Sequence, residues 1–124
     1  MIADEPQIET VRRIIEVLRS VKLDLSAEKL AQAELAKSFA QHEIAAEREV
    51  RLNEHDIVDF LVGGVGIEIK LRGASKKDVY RQLRRYAQSD RISVLILASN
   101  LSIGLPEQIE GKDVYLVKLS EGWL

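Results

Sequence analysis

Apolar positions recur along the chain with two different periods, and the change of period marks the elements. Behind Pro6, the residues Val11, Ile14, Ile15, Leu18 and Val21 return every three or four places, which predicts an opening helix. Ser26 stands where an N-cap belongs, with Leu25 and Leu30 at the staple positions around it. The helix it opens is expected to reach about Gln41. Glu47 to Leu52 reads as a short strand. From His55 to Val62 the pattern alternates and is rich in β-formers, and Gly63-Gly64 signals a two-residue hairpin turn into a return strand, Val65 to Leu71. Gly73 breaks that strand. Ser75 can cap a third helix to about Ser89, whose buried stripe would be Val79, Leu83, Tyr86 and Ala87. The run from Arg91 to Ala98 is almost wholly apolar, as in a strand covered on both faces. Residues 99–112 read as loop, and Val114 to Leu119 as a last strand. The order is ααβββαβ plus a terminal strand, an α/β fold in which helices flank a mixed sheet.

A chain of 124 residues suits one domain, large enough to bury a core of its own. No apolar run approaches the roughly 18 residues that span a bilayer. The first residues carry no signal-peptide pattern, and there is no cysteine for a disulfide or a thiolate metal site. The expectation is a cytoplasmic protein. His42 and His55 are too few for a zinc site and read as surface residues. Trp123 is expected against the core or a partner subunit. The net charge of −2 does not mark a nucleic-acid binder. Between Lys70 and Arg85, however, seven basic residues stand against the single acid Asp78, a local charge of +6. A phosphate backbone responds to such a patch rather than to the total, although a solvated helix face gives the same pattern.

The hairpin breaks its own pattern. In the return strand Ile67, Ile69 and Leu71 face one way, and Gly66, Glu68 and Lys70 the other. Under a helix that second face should be apolar, so a carboxylate and an ammonium there must be solvated, paired or bound to a metal. A two-residue turn pairs Val62 with Val65 and therefore sets Asp59 opposite Glu68, on one face, with Cβ atoms roughly 5 Å apart. Asp56 falls opposite Leu71, on the other face; a four-residue loop would keep Asp59 in play, whereas a three-residue loop would swap in Asp56. Two facing carboxylates repel unless a cation lies between them. Mg²⁺ or Mn²⁺ would take Asp59, Glu68 and the backbone carbonyl of Ile69 as oxygen ligands, with Lys70 in reach of a water or a phosphate. A surface Asp–Glu–Lys cluster on an open sheet face is the plain alternative.

The segment H-D-I-V-D-F-L-V-G-G-V-G-I-E-I-K resembles the D-x(n)-E-x-K core of the PD-(D/E)xK nucleases. Val58 stands where many members carry the proline. Gln82-Leu83-Arg84-Arg85-Tyr86 is similar to the Q-x-x-x-Y motif of the RecB-like and lambda-exonuclease-like branch. The resemblance covers about residues 26–98. It implies a restriction-endonuclease-like αβββαβ core over 26–98, an N-terminal helical extension over 1–25, and a C-terminal loop and strand over 99–124. It implies a metal-dependent DNA nuclease with Asp59 and Glu68 as ligands of Mg²⁺ or Mn²⁺ and Lys70 positioning the attacking water. Gln82 and Tyr86 would lean over the Glu68/Lys70 face. Family members often carry a further acid on the helix before the strands. Glu28, in a stripe with Ala31, Leu35 and Phe39, is preferred to Glu34, and Glu47 is a third candidate. Arg72, Lys76, Lys77, Arg81, Arg84 and Arg85 would hold DNA phosphate. So small a chain is expected to form a homo-oligomer or to use a partner protein for substrate selection. The alternative function is a catalytically inactive module of the same fold that binds DNA or a protein.

Overall fold

A computed structural model describes residues 5–121. Trp123 lies outside them. The elements are α1 (Glu5–Ser20), β1 (Lys22–Leu23), α2 (Glu28–Gln41), β2 (Glu47–Arg51), β3 (Ile57–Val62), β4 (Val65–Lys70), α3 (Lys76–Ala87), β5 (Val94–Ser99), β6 (Gln108–Ile109), β7 (Lys112–Lys118) and β8 (Ser120–Glu121). Six strands form a mixed sheet in the order β2-β3-β4-β5-β7-β6. β2, β3 and β4 run as an antiparallel meander, β4, β5 and β7 are parallel, and β6 returns against β7. The parallel step from β4 to β5 is bridged by α3, as a parallel pair requires. β1 and β8 form a separate parallel pair. No helix of the described residues is long and apolar enough to cross a membrane.

The sheet separates two apolar layers. Beneath α1 and α2, Ile14, Leu18, Leu35 and Phe39 meet Phe60, Val62, Ile67 and Ile69. The Phe39 and Phe60 rings meet edge to face, their centroids 5.3 Å apart. On the other face Val79, Leu83, Tyr86 and Ala87 of α3 cover Leu61, Leu95 and Leu97, the stripe read from the sequence. Every residue of β5 is buried, which explains its unbroken apolar run. Ser75 caps α3 as expected, its side chain accepting from the Asp78 amide, an interaction typically worth ~1 kcal/mol.

The α2 start differs from the expectation. The N-cap is Ala27, without a side-chain cap, and the helix begins at Glu28. The Ser26 amide and hydroxyl both donate to Asp24 Oδ1, at 2.9 and 2.6 Å, so a local Asp–Ser turn has claimed the presumed cap. Leu30 is exposed, so no staple forms. The segment 99–112 holds a short β6–β7 hairpin in place of plain loop.

Candidate active site

The turn at Gly63-Gly64 has two residues, and only Gly63 carries a positive φ, 58°. Glycine at the first central position is what a type II′ hairpin turn needs. The register is therefore Val62↔Val65, Leu61↔Gly66, Phe60↔Ile67. Extended by one step, it sets Asp59 against Glu68. Gly66 is confined by its neighbours, because a Cβ there would come within 2.7 Å of Ile92 Cδ1.

At Asp59 the strands stop behaving as a regular ladder. The β2–β3 pairs Arg48↔Phe60 and Val50↔Val58 flank Glu49 and Asp59, which are not paired. Glu49 has φ 54°, a left-handed conformation that costs a glutamate on the order of 1 kcal/mol or more. Regular alternation would put Val58 and Phe60 on one face. Instead Val58 lies in the α3 layer and Phe60 in the α1/α2 layer. The strand turns over at Asp59. This corrects the placement of Asp56, which a regular strand would have put on the α1/α2 face. Asp56 is buried and accepts from Arg85 Nε of α3 at 2.9 Å and from Asn53 Nδ2 at 3.0 Å. Burial works against its charge, and the bonds from Arg85 and Asn53 outweigh it, holding its carboxyl below the usual range.

Side chains fill the gap in the β3–β4 ladder. The Ile69 amide donates to Asp59 Oδ2 at 2.8 Å, and the Asp59 amide donates to Glu68 Oε1 at 3.3 Å. Within a strand the N–H and C=O of one residue point to the same neighbour. The Ile69 carbonyl therefore opens toward β3, beside Asp59, as a ligand role requires. Lys70 Nζ lies 3.2 Å from Glu68 Oε2. Tyr86 is fully buried, and its hydroxyl donates to the Ile57 carbonyl at 2.8 Å and lies 3.3 Å from Glu68 Oε1. Tyr86 thus fixes Glu68 from beneath rather than reaching into solvent. Its own ionisation is driven far up by burial and by the carboxylates Glu68 and Asp59.

Glu68 is 3% exposed. Burial, and then the charge of Asp59, push its carboxyl up to about 8, against the pull of Lys70. Asp59 is also raised, chiefly by burial, with the Ile69 amide and Lys70 opposing. Two acids that resist ionising side by side are what a cation between them would relieve.

A cavity of about 470 Å³ gathers Glu28, Asp59, Glu68, Lys70 and Gln82. Glu28 is half-buried at the first turn of α2, and its Oε2 accepts from the Leu71 amide at 3.3 Å. The other two acids stand apart: Glu34 accepts from the Asp24 amide, and Glu47 is exposed with Arg91 Nη2 3.8 Å away. Gln82 also lines a neighbouring cavity of about 590 Å³ with Lys70, Ser75, Arg81 and Arg85. Arg72 lines a third, again with Glu28. Lys76 and Lys77 are exposed on the first turn of α3. The remaining arginines are already engaged, Arg84 by Glu110 at 2.9 Å and Arg85 by Asp56, while Arg81 is only 3.9 Å from Asp78. His42 and His55 are exposed.

Three polar residues of this cavity escaped the sequence reading: Lys29 and Glu49, which form an ion pair at 3.1 Å, and the buried Gln32. The signal for Gln32 was present, since it follows Glu28 by four places and so shares its helix face. Among the described residues no group of three or more His, Cys, Asp or Glu side chains is arranged to hold a metal. The donor set is nonetheless of the kind Mg²⁺ takes, because that ion commonly uses only one or two carboxylates and keeps several waters. Asp59, Glu68 and the Ile69 carbonyl supply hard oxygens, and Gln32 Oε1 is a buried acceptor without a partner. Comparison with known protein families, curated proteins and solved structures finds no match to the chain.

Proposed function

We propose that this protein is a metal-dependent DNA nuclease of restriction-endonuclease-like fold, in which Asp59, Glu68 and the Ile69 carbonyl hold Mg²⁺ or Mn²⁺ and Glu28 stands by as accessory acid. The observation that carries the reading is the interrupted hairpin. A tight turn brings two acids face to face where the ladder opens, and a lysine lies beside them on the same strand. Surface clusters are not normally built from a buried glutamate that must be forced to ionise. The antiparallel meander, the α3 crossover and the helices on opposite faces also accord with that fold.

A divalent ion in such a site stabilises negative charge on a phosphate and on its leaving oxygen. The chain's own groups have separable tasks. Lys70 is a donor-only ammonium, anchored by Glu68, and can present hydrogens to an attacking water or a phosphate oxygen. Tyr86 keeps the Glu68 carboxyl oriented, and its apolar surroundings exclude water from that side. Gln82 borders both the acidic cavity and the basic one, where its amide can meet the sugar-phosphate backbone. Arg72, Lys76, Lys77 and Arg81 line or flank the approach. Incubation with Mn²⁺ and a panel of linear, circular, single-stranded and branched DNA tests the reading. Cleavage that Asp59→Ala abolishes supports it. Failure of the wild type to bind Mn²⁺ would favour an inactive binding module instead.

A further inference from the structure

Gln32 is 3% exposed, yet it lines the cavity of Asp59, Glu68 and Lys70, and its Oε1 has no hydrogen-bond partner. Only Asn100 Oδ1 shares that condition among the buried side-chain atoms of the described residues. A buried polar atom left unsatisfied costs about 1–3 kcal/mol, so a helix gains nothing from a glutamine there that leucine would not give more cheaply. Its neighbour one turn earlier, Glu28, is committed to the Leu71 amide. Lys70 is committed to Glu68. The cavity thus offers acids for a cation and, in Gln32, a buried neutral acceptor with nothing to accept.

We infer that Gln32 is a positioning residue for the bound cation: its amide oxygen accepts a hydrogen bond from a water that hydrates a divalent ion held by Asp59 and Glu68. This rests on the reading of the site given above. Two carboxylates and a carbonyl leave Mg²⁺ or Mn²⁺ with several waters, each a donor that needs an acceptor. A carboxylate at position 32 would add a further negative charge to a pair that already repels. An amide accepts without that charge. A half-turn of the amide exchanges its oxygen and nitrogen, so a bound, hydrated cation can select the orientation that turns the oxygen toward the cavity.

The test uses Gln32→Leu and Gln32→Met in the full chain, with Mn²⁺ titrated by calorimetry and melting followed in chelator. Groups that orient a cation's ligands typically contribute 10–100-fold to affinity. The expected result is Mn²⁺ affinity at least about tenfold weaker in both variants, with a Tm in chelator equal to or above the wild type. Gln32→Glu, which keeps an acceptor, should hold Mn²⁺ affinity near or above wild type while lowering the Tm in chelator. Unchanged Mn²⁺ affinity in the leucine and methionine variants overturns the inference and leaves the nuclease reading standing. A lowered Tm in both, with affinity intact, makes Gln32 a purely structural residue. No Mn²⁺ binding by the wild type removes the inference and the nuclease reading together.

Discussion

Replacing Glu68 by glutamine should make the metal-free protein more stable in alkali and less stable in acid. The unfolded chain ionises this carboxyl near 4.5, and the folded chain near 8. Below the lower value both states hold the proton and there is no penalty. Between the two, the fold retains a proton that the unfolded chain has released, so stability falls as pH rises, and the loss is complete only above 8. The full penalty is on the order of 5 kcal/mol, and at neutral pH about 3 kcal/mol. Asp59, raised in the same direction, adds to the slope. Glutamine never ionises, but it cannot satisfy Lys70 and the Asp59 amide together, which costs about one hydrogen bond, ~1 kcal/mol. Glu68→Gln should therefore be roughly 1 kcal/mol less stable than wild type near about pH 4, about equal to it near about pH 5, and at least about 2 kcal/mol more stable near about pH 9. Urea unfolding in chelator at pH steps across that window measures both curves. Asp56 does not confuse the reading, because its lowered carboxyl loses its contribution only as pH falls through the acid range below the ordinary aspartate value. A wild-type stability that is flat or rises between about pH 5 and about pH 8, or a variant less stable than wild type in alkali, would refute the placement of Glu68 as a buried acid beside Asp59.

Lys70→Met should keep Mn²⁺ affinity by calorimetry and reduce cleavage of linear DNA by at least about tenfold, toward the hundredfold typical of a lost charge-stabilising donor. Tyr86→Phe leaves the Ile57 carbonyl without its donor and should lower urea stability by about 1–3 kcal/mol in chelator. Arg85→Ala strips a buried carboxylate of its cation and should cost about 1–3 kcal/mol by the same measurement, a loss that Asp56→Asn recovers in part. Changing Lys76, Lys77 and Arg81 to alanine should spare the fold and flatten the log–log salt dependence of DNA binding by about one unit per lost phosphate contact.

The hairpin and its acids were legible because turn chemistry is local. Gly63-Gly64 fixes the register, and the register fixes Asp59 against Glu68. The same locality made Ser75 readable as a cap and the α3 stripe readable as a face. Ser26 had an equally good local pattern, and Asp24, two residues back, took its hydrogen bonds. Asp56 was misplaced because alternation was assumed to continue through Asp59, and nothing in the residue types of β3 announces that the strand turns over. It coincides with Glu49 of the neighbouring strand adopting a left-handed conformation. The commitments of Arg84 and Arg85 were equally hidden, since their partners Glu110 and Asp56 lie 26 and 29 residues away. The β1–β8 pair joins segments nearly a hundred residues apart, each only two residues long, too short to carry a period.

The reversal at Asp59 also acts as a registration mark. An ordinary half-buried strand can slide by two residues past its neighbour and present the same inside and outside, since its pattern repeats every two places. β3 cannot. Such a slide would carry Phe60 into the α3 layer or Val58 beneath α1 and α2, each into space shaped for the other, and in the second case it would set Asp59 in the buried place of Leu61. The irregularity that opens room for chemistry is thereby a reason the hairpin has only one alignment.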